Sequence, residues 1–387
     1  MEGYIIIISH VRLRNWRNFR EVNVDLGQRV IVVGPNASGK SNFLDVFRFI
    51  HDVAKQEGGG LQKAISQRGG VSKIRCLAAR NLPEIKIEIH LSESIDSEPK
   101  WKYILEIVQQ SRGHRRARVN KEEVYLNGKQ ILKRPDANDK KDDLRLTQTH
   151  LEQINANAAF REIADFFDSI SYLHLVPQLL RNPESFPGPA IPEDPYGRSF
   201  LEKVARTSEN TRKTRLKKIE SALRIAVPQL QQLTDTKDEA GVPHLEAVYS
   251  HWRPRAGKQQ EDQFSDGTLR LIGLLWSLLE SDSLLLLEEP ELSLNGSIVS
   301  QLPSVFSKVR SRKKRQLILS THSVDLLSDK GIGGEEILLL TPSSEGTTVT
   351  VSSSIEEVRL LLENGVSPAD AILSRIHPNN IEELSLF

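Results

Sequence analysis

Two glycines, a lysine and a serine pose the first chemical question: GPNASGKS, residues 34–41, has the spacing G-x-x-x-x-G-K-S. Gly34 and Gly39 let the backbone curl until its N–H groups face phosphate oxygens. A helix beginning there adds the positive end of its dipole. Lys40 then supplies a point charge to the outer phosphates, and Ser41 offers a hydroxyl to Mg2+. The whole run Gly34, Pro35, Asn36, Ala37, Ser38, Gly39, Lys40, Ser41 and Asn42 is expected to line a nucleotide. LLLLEEPE, residues 284–291, supplies acids. Four leucines bury a strand, and its end presents Glu288 to hold the metal and Glu289 to act as general base on the attacking water. A third strand, ILSTHS (318–323), ends at His322, which could bond the γ-phosphate or that water.

FSDGTLR, residues 264–270, opens an apolar helical run. Alone, Ser265 or Asp266 would be an ordinary helix cap. Its place between the phosphate loop and the acidic strand suggests more, since helix starts bind anions.

These motifs together resemble the ABC-type ATPase superfamily. The resemblance makes Ser265, Asp266 and Gly267 the signature motif, gripping the γ-phosphate bound by a neighbouring copy. VRLRNWRNFREVNVDLGQRVIVVGPNASGKSNFLDVFRFI, SDGTLRLIGLLWSLL and LLLLEEPELSLN…LILSTHSVDLL resemble the branch holding SMC proteins, RecF and OLD-family ATPases. The resemblance covers about the first fifty residues and 264–328. It implies a glutamine lining the metal and water; Gln178, after SYLHLVP, is the candidate and Gln67 its rival. It also brings Arg17 and Asn18 towards the nucleotide. Two departures stand out. The acidic pair is Glu288-Glu289 where Asp-Glu is usual, and Asn295 stands in the presumed dimer-crossing loop where relatives often carry His. The longer Glu288 side chain shifts the metal-facing carboxylate, which bears on the speed of turnover.

The elements that must position these groups follow from periodicity. IIIISHVRLRNW, REVNVDL and RVIVVG read as strands, the last a β-branched, buried one. Phe43, Leu44, Phe47 and Ile50 share one helix face after the loop. EIKIEIHL alternates strictly and should pair with WKYILEIV, and Asn127-Gly128 marks a hairpin. PDANDKKDD (135–143) reads as a charged loop. Residues 150–233 read as mostly helical, broken by the Pro-rich run 181–197, and HLEAVYSHW as a strand. Strands and helices then alternate to two short closing helices.

The expected fold is α/β, an ABC-type P-loop ATPase head with an inserted antiparallel-strand and helical sub-domain. Its parts are 1–94, the phosphate-loop half; 95–258, the insertion; 259–345, the second half of the head; and 346–387, a packed tail.

Lys+Arg 52 against Asp+Glu 51 leaves a net charge of +1, so no global basic footprint announces nucleic acid, although the local run RGHRRARVN (112–120) leaves room for it. One cysteine, Cys76, excludes an intrachain disulfide. The opening isoleucines are too short a run for a signal or a membrane span, so the reading is a soluble, cytoplasmic protein without a membrane partner. Mg2+ and ATP are the implied cofactor and substrate, and a homodimer or higher homo-oligomer the implied assembly. The resemblance leaves two roles open. One is an ATPase gating a nucleic-acid transaction or a separate effector, such as a nuclease, in DNA repair or anti-phage defence. The other is an ATP-loaded scaffold or sensor with little turnover that restrains a partner protein.

Overall fold

The computed structural model describes residues 6–79, 83–95, 97–110, 116–182, 194–251, 257–280, 283–313 and 315–376. Most of the Pro-rich run, residues 112–115 of the basic run, Trp252 and the final EELSLF lie outside the described residues.

The described strands form three sheets. The first is antiparallel, in the order β2-β1-β4-β5-β6-β7, from β1 (Ile7–Trp16), β2 (Phe19–Asp25), β4 (Ile85–Ser92), β5 (Trp101–Gln109), β6 (Ala117–Leu126) and β7 (Lys129–Arg134). The second runs β15-β14-β3-β13-β12-β8, from β3 (Arg29–Val33), β8 (Ser171–Leu173), β12 (Leu285–Glu288), β13 (Leu317–Ser320), β14 (Ile337–Ser343) and β15 (Gly346–Val351). Its strands are parallel except the edge strand β15. The third holds β9 (Leu230–Lys237), β10 (Pro243–Tyr249) and β11 (Lys258–Gln260).

Period-two alternation explains the layering. Val30, Val32, Leu286 and Ile318 face one core, while Ile31, Val33, Leu285, Leu287, Leu317 and Leu319 face another. The helix Lys40–Ala54 lies in the first core. Its Phe43, Phe47 and Ile50 pack with Ile85, Ile87 and Ile89 of the antiparallel sheet and with the parallel sheet's valines. Each such buried side chain contributes about 1.5–3 kcal/mol, so the helix that follows the phosphate loop is held on both sides. The second core takes Leu274 and Leu278 from the helix Asp266–Glu280.

In the parallel sheet β3 lies between β13 and β14, so strands from both ends of the chain are neighbours there. The line at 94/95 falls between β4 and β5, which are hydrogen-bonded neighbours from Ile85↔Ile107 to Leu91↔Trp101. Strand β8, also from the presumed insertion, is the edge partner of β12. What stands apart is the later stretch, whose Phe200, Leu216, Leu223, Leu233 and Leu245 form a third core against Ile272 and Trp276.

PDANDKKDD is not a plain loop. Asp136 accepts from the N–H groups of Asn138 and Asp139 and caps a helix, Ala137–Lys141. The buried Asp139 and Glu122 both bind the guanidinium of Arg134. A run of charge reads as solvated when its partners come from neighbouring strands, and here they do.

Candidate nucleotide site

Four strand ends meet along one rim. Val32 of β3 pairs with Ser320 of β13, and Ser320 with Glu288 of β12, so the phosphate loop, His322 and the acids leave the sheet side by side. β8 ends beside them. The carboxyl ends of parallel strands are where such sheets bind ligands.

The loop from Gly34 to Gly39 is built against Asn18. Its Nδ2 donates to Ser38 O (2.8 Å), and its Oδ1 accepts from Asn42 Nδ2 (2.8 Å). Gly39 has φ +99°, and a Cβ there would run into the Asn18 side chain, so only glycine fits. Asn18 therefore shapes the loop, and Arg17 is taken up by Asp45 (3.0 Å). Lys40 Nζ donates to Gly34 O (3.1 Å) and Pro35 O (3.2 Å) and lies 3.5 Å from His322 Nδ1. Burial lowers the Lys40 pKa below its usual value, although Glu289, Glu288 and Glu291 pull it back up. Ser38 Oγ and Ser320 Oγ are buried without a hydrogen-bond partner in the structure.

Ser41 Oγ donates to Glu288 Oε1, and Tyr172 donates its hydroxyl to Glu288 Oε2. Burial first, and then the Glu288 charge, push the Tyr172 pKa upward, so it remains a donor. Ser41 and Glu288 are hard oxygen donors in mutual contact, the set Mg2+ takes when phosphates supply the rest. They fit the ion. The described residues hold no group of three or more His, Cys, Asp or Glu that would cage a metal without the nucleotide.

Glu289 turns away from the sheet in the left-handed region, φ +44°, while its N–H donates to Ser320 O (3.0 Å). Backbone strain of this kind collects at functional sites. Its Oε1 lies 3.3 Å from His322 Nε2. His322 is braced from behind: Glu291 Oε1 accepts from Thr321 Oγ1 (2.6 Å) and from the His322 N–H (3.1 Å). Burial raises the Glu291 pKa despite those two bonds. Burial and then the Lys40 charge lower that of His322, with Glu289 opposing, so the imidazole is neutral at pH 7.

The signature residues lie elsewhere. Ser265 Oγ accepts from the Thr268 N–H (3.1 Å) and caps the helix Asp266–Glu280. Asp266 accepts from Gln178 Nε2 (2.9 Å) and Arg181 (2.6 Å). Gly267 packs on the loop after the acids: a Cβ there would meet Ser293 O at 2.6 Å. Among the described residues no hydrogen bond joins Ser265, Asp266 or Gly267 to the phosphate loop or to Glu288, Glu289 and His322. Gln178 is thus placed with Asp266, and the side chain from this strand region that meets the Glu288 carboxylate among the described residues is Tyr172. Gln67 is exposed at the end of the helix Leu61–Gln67. Asn295 caps a short helix, its Oδ1 accepting from the Ser297 N–H (3.0 Å). Tyr172 and Glu291 are the members that motif spacing missed. Tyr172 sits in SYLHL, a strand signal, and Glu291 is the third acid of EEPE.

Residues 29–329, more than half of the chain, match the model of the family described as "AAA domain, putative AbiEii toxin, Type IV TA system". A 44-residue stretch is 41% identical to Endonuclease GajA of Bacillus cereus (strain VD045), spanning 11% of this chain and only 8% of that protein. Among solved structures, the SMC head bound to the C-winged helix domain of ScpA is similar with a TM-score of 0.53 at 13% identity, over 89% of this chain and 97% of that one. The Smc head with an extended coiled coil, bound to the C-terminal domain of ScpA from Pyrococcus furiosus, gives a TM-score of 0.50 at 14% identity, over 93% and 100%. At such identities the likeness is one of fold: an α/β, SMC-type ABC ATPase head. No described helix is long and apolar enough to cross a membrane.

Proposed function

This chain belongs to that AAA-domain family, and from this premise we propose that it binds and hydrolyses ATP in a head-to-tail dimer whose closure acts as a switch. The loop N–H groups and Lys40 bind the phosphates. Ser41 and Glu288 are the oxygens that hold Mg2+, which when bound neutralises charge on the phosphate oxygens. Glu289 takes a proton from the attacking water, and the neutral His322 at 3.3 Å holds that carboxylate in place. Ser265, Asp266 and Gly267 serve the phosphate held by the second copy. ATP favours the closed pair because only that state completes the site.

The observation that carries this reading is a separation. Lys40, Glu288, Glu289 and His322 converge on one rim, whereas the signature residues share no hydrogen bond with them among the described residues. The closure would gate a separately encoded effector or a nucleic-acid transaction, in anti-phage defence or DNA repair. The family description and the short match to an endonuclease support a defence role, and the SMC-head fold supports a protein partner on the head.

Mixing two inactive variants tests the composite site. Lys40→Ala destroys the loop and Ser265→Arg the signature, so each alone should be inactive. In a mixed dimer one site carries both changes and the other neither, so an equimolar mixture regains about a quarter of wild-type turnover. No recovery on mixing, or full turnover at dilutions where only monomer remains, overturns the reading. Tight ATP binding and a stable dimer with no wild-type turnover would instead favour the scaffold role.

A further inference from the structure

Glu288 is one methylene longer than the aspartate usual at such a strand end, and a longer acid has more ways to point. The structure supplies a restraint for it from the neighbouring strand. β8 runs parallel to β12 with Tyr172 opposite Leu286, and Glu288 is two residues further along the same face. Two residues of strand are about 6.6 Å, a gap that a tyrosine leaning forward can span. Its hydroxyl reaches Glu288 Oε2. The ring is fixed in turn, with the Arg48 guanidinium 3.9 Å over its centre, and Arg48 belongs to the helix that Lys40 and Ser41 begin. His174 Nδ1, two residues beyond Tyr172, adds a 3.4 Å contact to the Glu288 carbonyl.

We propose that Tyr172 is a positioning residue for the metal acid: by holding Glu288 Oε2 it turns Oε1 towards Ser41 and fixes which carboxylate oxygen the ion meets. This rests on the assignment of Ser41 and Glu288 as the Mg2+ oxygens. Both tyrosine contacts serve that end. The ring-to-guanidinium stack ties Tyr172 to the phosphate-loop helix, and the hydroxyl ties it to the acid. An aspartate at 288 would draw the carboxylate back by one methylene, out of the hydroxyl's reach, so the tyrosine and the longer acid form a matched pair. Outer partners of metal ligands commonly govern metal affinity without touching the metal.

The test is the Mg2+ dependence of binding of a fluorescent ATP analogue, read without turnover. Tyr172→Phe removes the hydroxyl and leaves the ring under Arg48. It should raise the Mg2+ concentration for half-saturation about 10- to 100-fold. Binding of the analogue in EDTA should not change. In a Glu288→Asp background the same substitution should change it by about twofold or less, because the pair is already broken. Unchanged Mg2+ dependence in Tyr172→Phe, or equal effects in both backgrounds, overturns the proposal. Glu288→Gln is the separate control. If it too leaves the Mg2+ dependence unaltered, the metal assignment beneath the proposal has failed.

Discussion

Two clusters of charge in this chain look alike in composition and differ in burial. Arg134, Glu122 and Asp139 are almost fully buried, at 1%, 0% and 0% side-chain exposure. Every strong group there has a partner. Arg134 donates to both acids and to the carbonyls of Gln148 and Arg145, and Glu122 also accepts from Tyr103 and the N–H groups of His150 and Leu151. Burial alone would raise the Asp139 pKa, yet the guanidinium more than offsets it and holds the carboxyl below its usual range. Lys40, Glu288, Glu289 and His322 form the other cluster. There Glu289 and His322 keep 26% and 37% exposure, and Lys40 spends its hydrogens on loop carbonyls. A closed cluster fixes two strands and a helix. An open one, with adjacent acids and cation donors turned inward, is arranged to receive something. Charge density does not separate the two; exposure to solvent does.

The sharpest way to break this contrast is at the open end. Glu289→Gln should slow ATP turnover about 10²–10⁴-fold, by removing the base. It should leave the melting temperature unchanged or raised, because it also relieves repulsion beside Glu288. It should trap the ATP-bound dimer, visible by size-exclusion chromatography. Normal turnover would remove Glu289 from the catalytic role.

The closed end should respond the other way. Arg134→Ala leaves the buried Glu122 without its cation and Asp139 with Arg145 alone, at 3.3 Å, and should cost about 3–5 kcal/mol of stability. Turnover per folded molecule should stay near wild type, since among the described residues the cluster shares no hydrogen bond with the rim. Denaturant unfolding and turnover measured on one preparation check both halves. A stable but inactive Arg134→Ala protein would mean that the clusters are coupled.

How far each cluster was legible follows from the same difference. GPNASGKS, LLLLEE and ILSTHS are local signals, with strand, turn and chemistry within eight residues, and the strands and helix they announced are present at those places. Their side-by-side order follows from parallel strands whose ends share one rim. Arg134 with Glu122 and Asp139 was hidden because its members come from two strands and a capped helix, each unremarkable alone. Tyr172 was hidden for a like reason. In a three-residue strand no periodicity tells which neighbour a side chain will meet. Gln178 was drawn to the metal by its place after that strand, but the short helix Pro177–Arg181 turns it to Asp266. The pairing of EIKIEIHL with WKYILEIV was legible from alternation alone, and it runs across the division at 94/95.

Glu291 sharpens the comparison, because it lies directly behind the open cluster and yet is buried, with one oxygen bonded and its Oε2 without a hydrogen-bond partner in the structure. Its Oε1 is held by Thr321 Oγ1 and the His322 N–H. Thr321→Val keeps the shape and deletes one of those bonds. It should cost about 1–3 kcal/mol, because the buried acid loses a donor. It should also slow turnover modestly, since the backbone that carries His322 loses its brace. A loss of rate with no loss of melting temperature would show that Glu291 acts in the chemistry and not beneath it.

The smallest effect, and the finest probe, is pH. His322 sits below its usual value of 6.5, through burial and the Lys40 charge. A base lowered in the folded state binds its proton more readily once unfolded. Its contribution to stability is therefore complete above 6.5 and is lost as pH falls through the lower folded value. Turnover should follow the same sign. If the neutral ring holds Glu289, the rate stays level as pH falls past 6.5 and drops only beneath it, where a charged imidazole would face Lys40 at 3.5 Å. His322→Gln should remove that acid limb from both the rate and the melting profile, while the Arg134 variant keeps it. An acid limb centred at or above 6.5 would mean that the His322 imidazole is not held below its usual value, and a rate that instead rises as pH falls would mean that His322 works protonated.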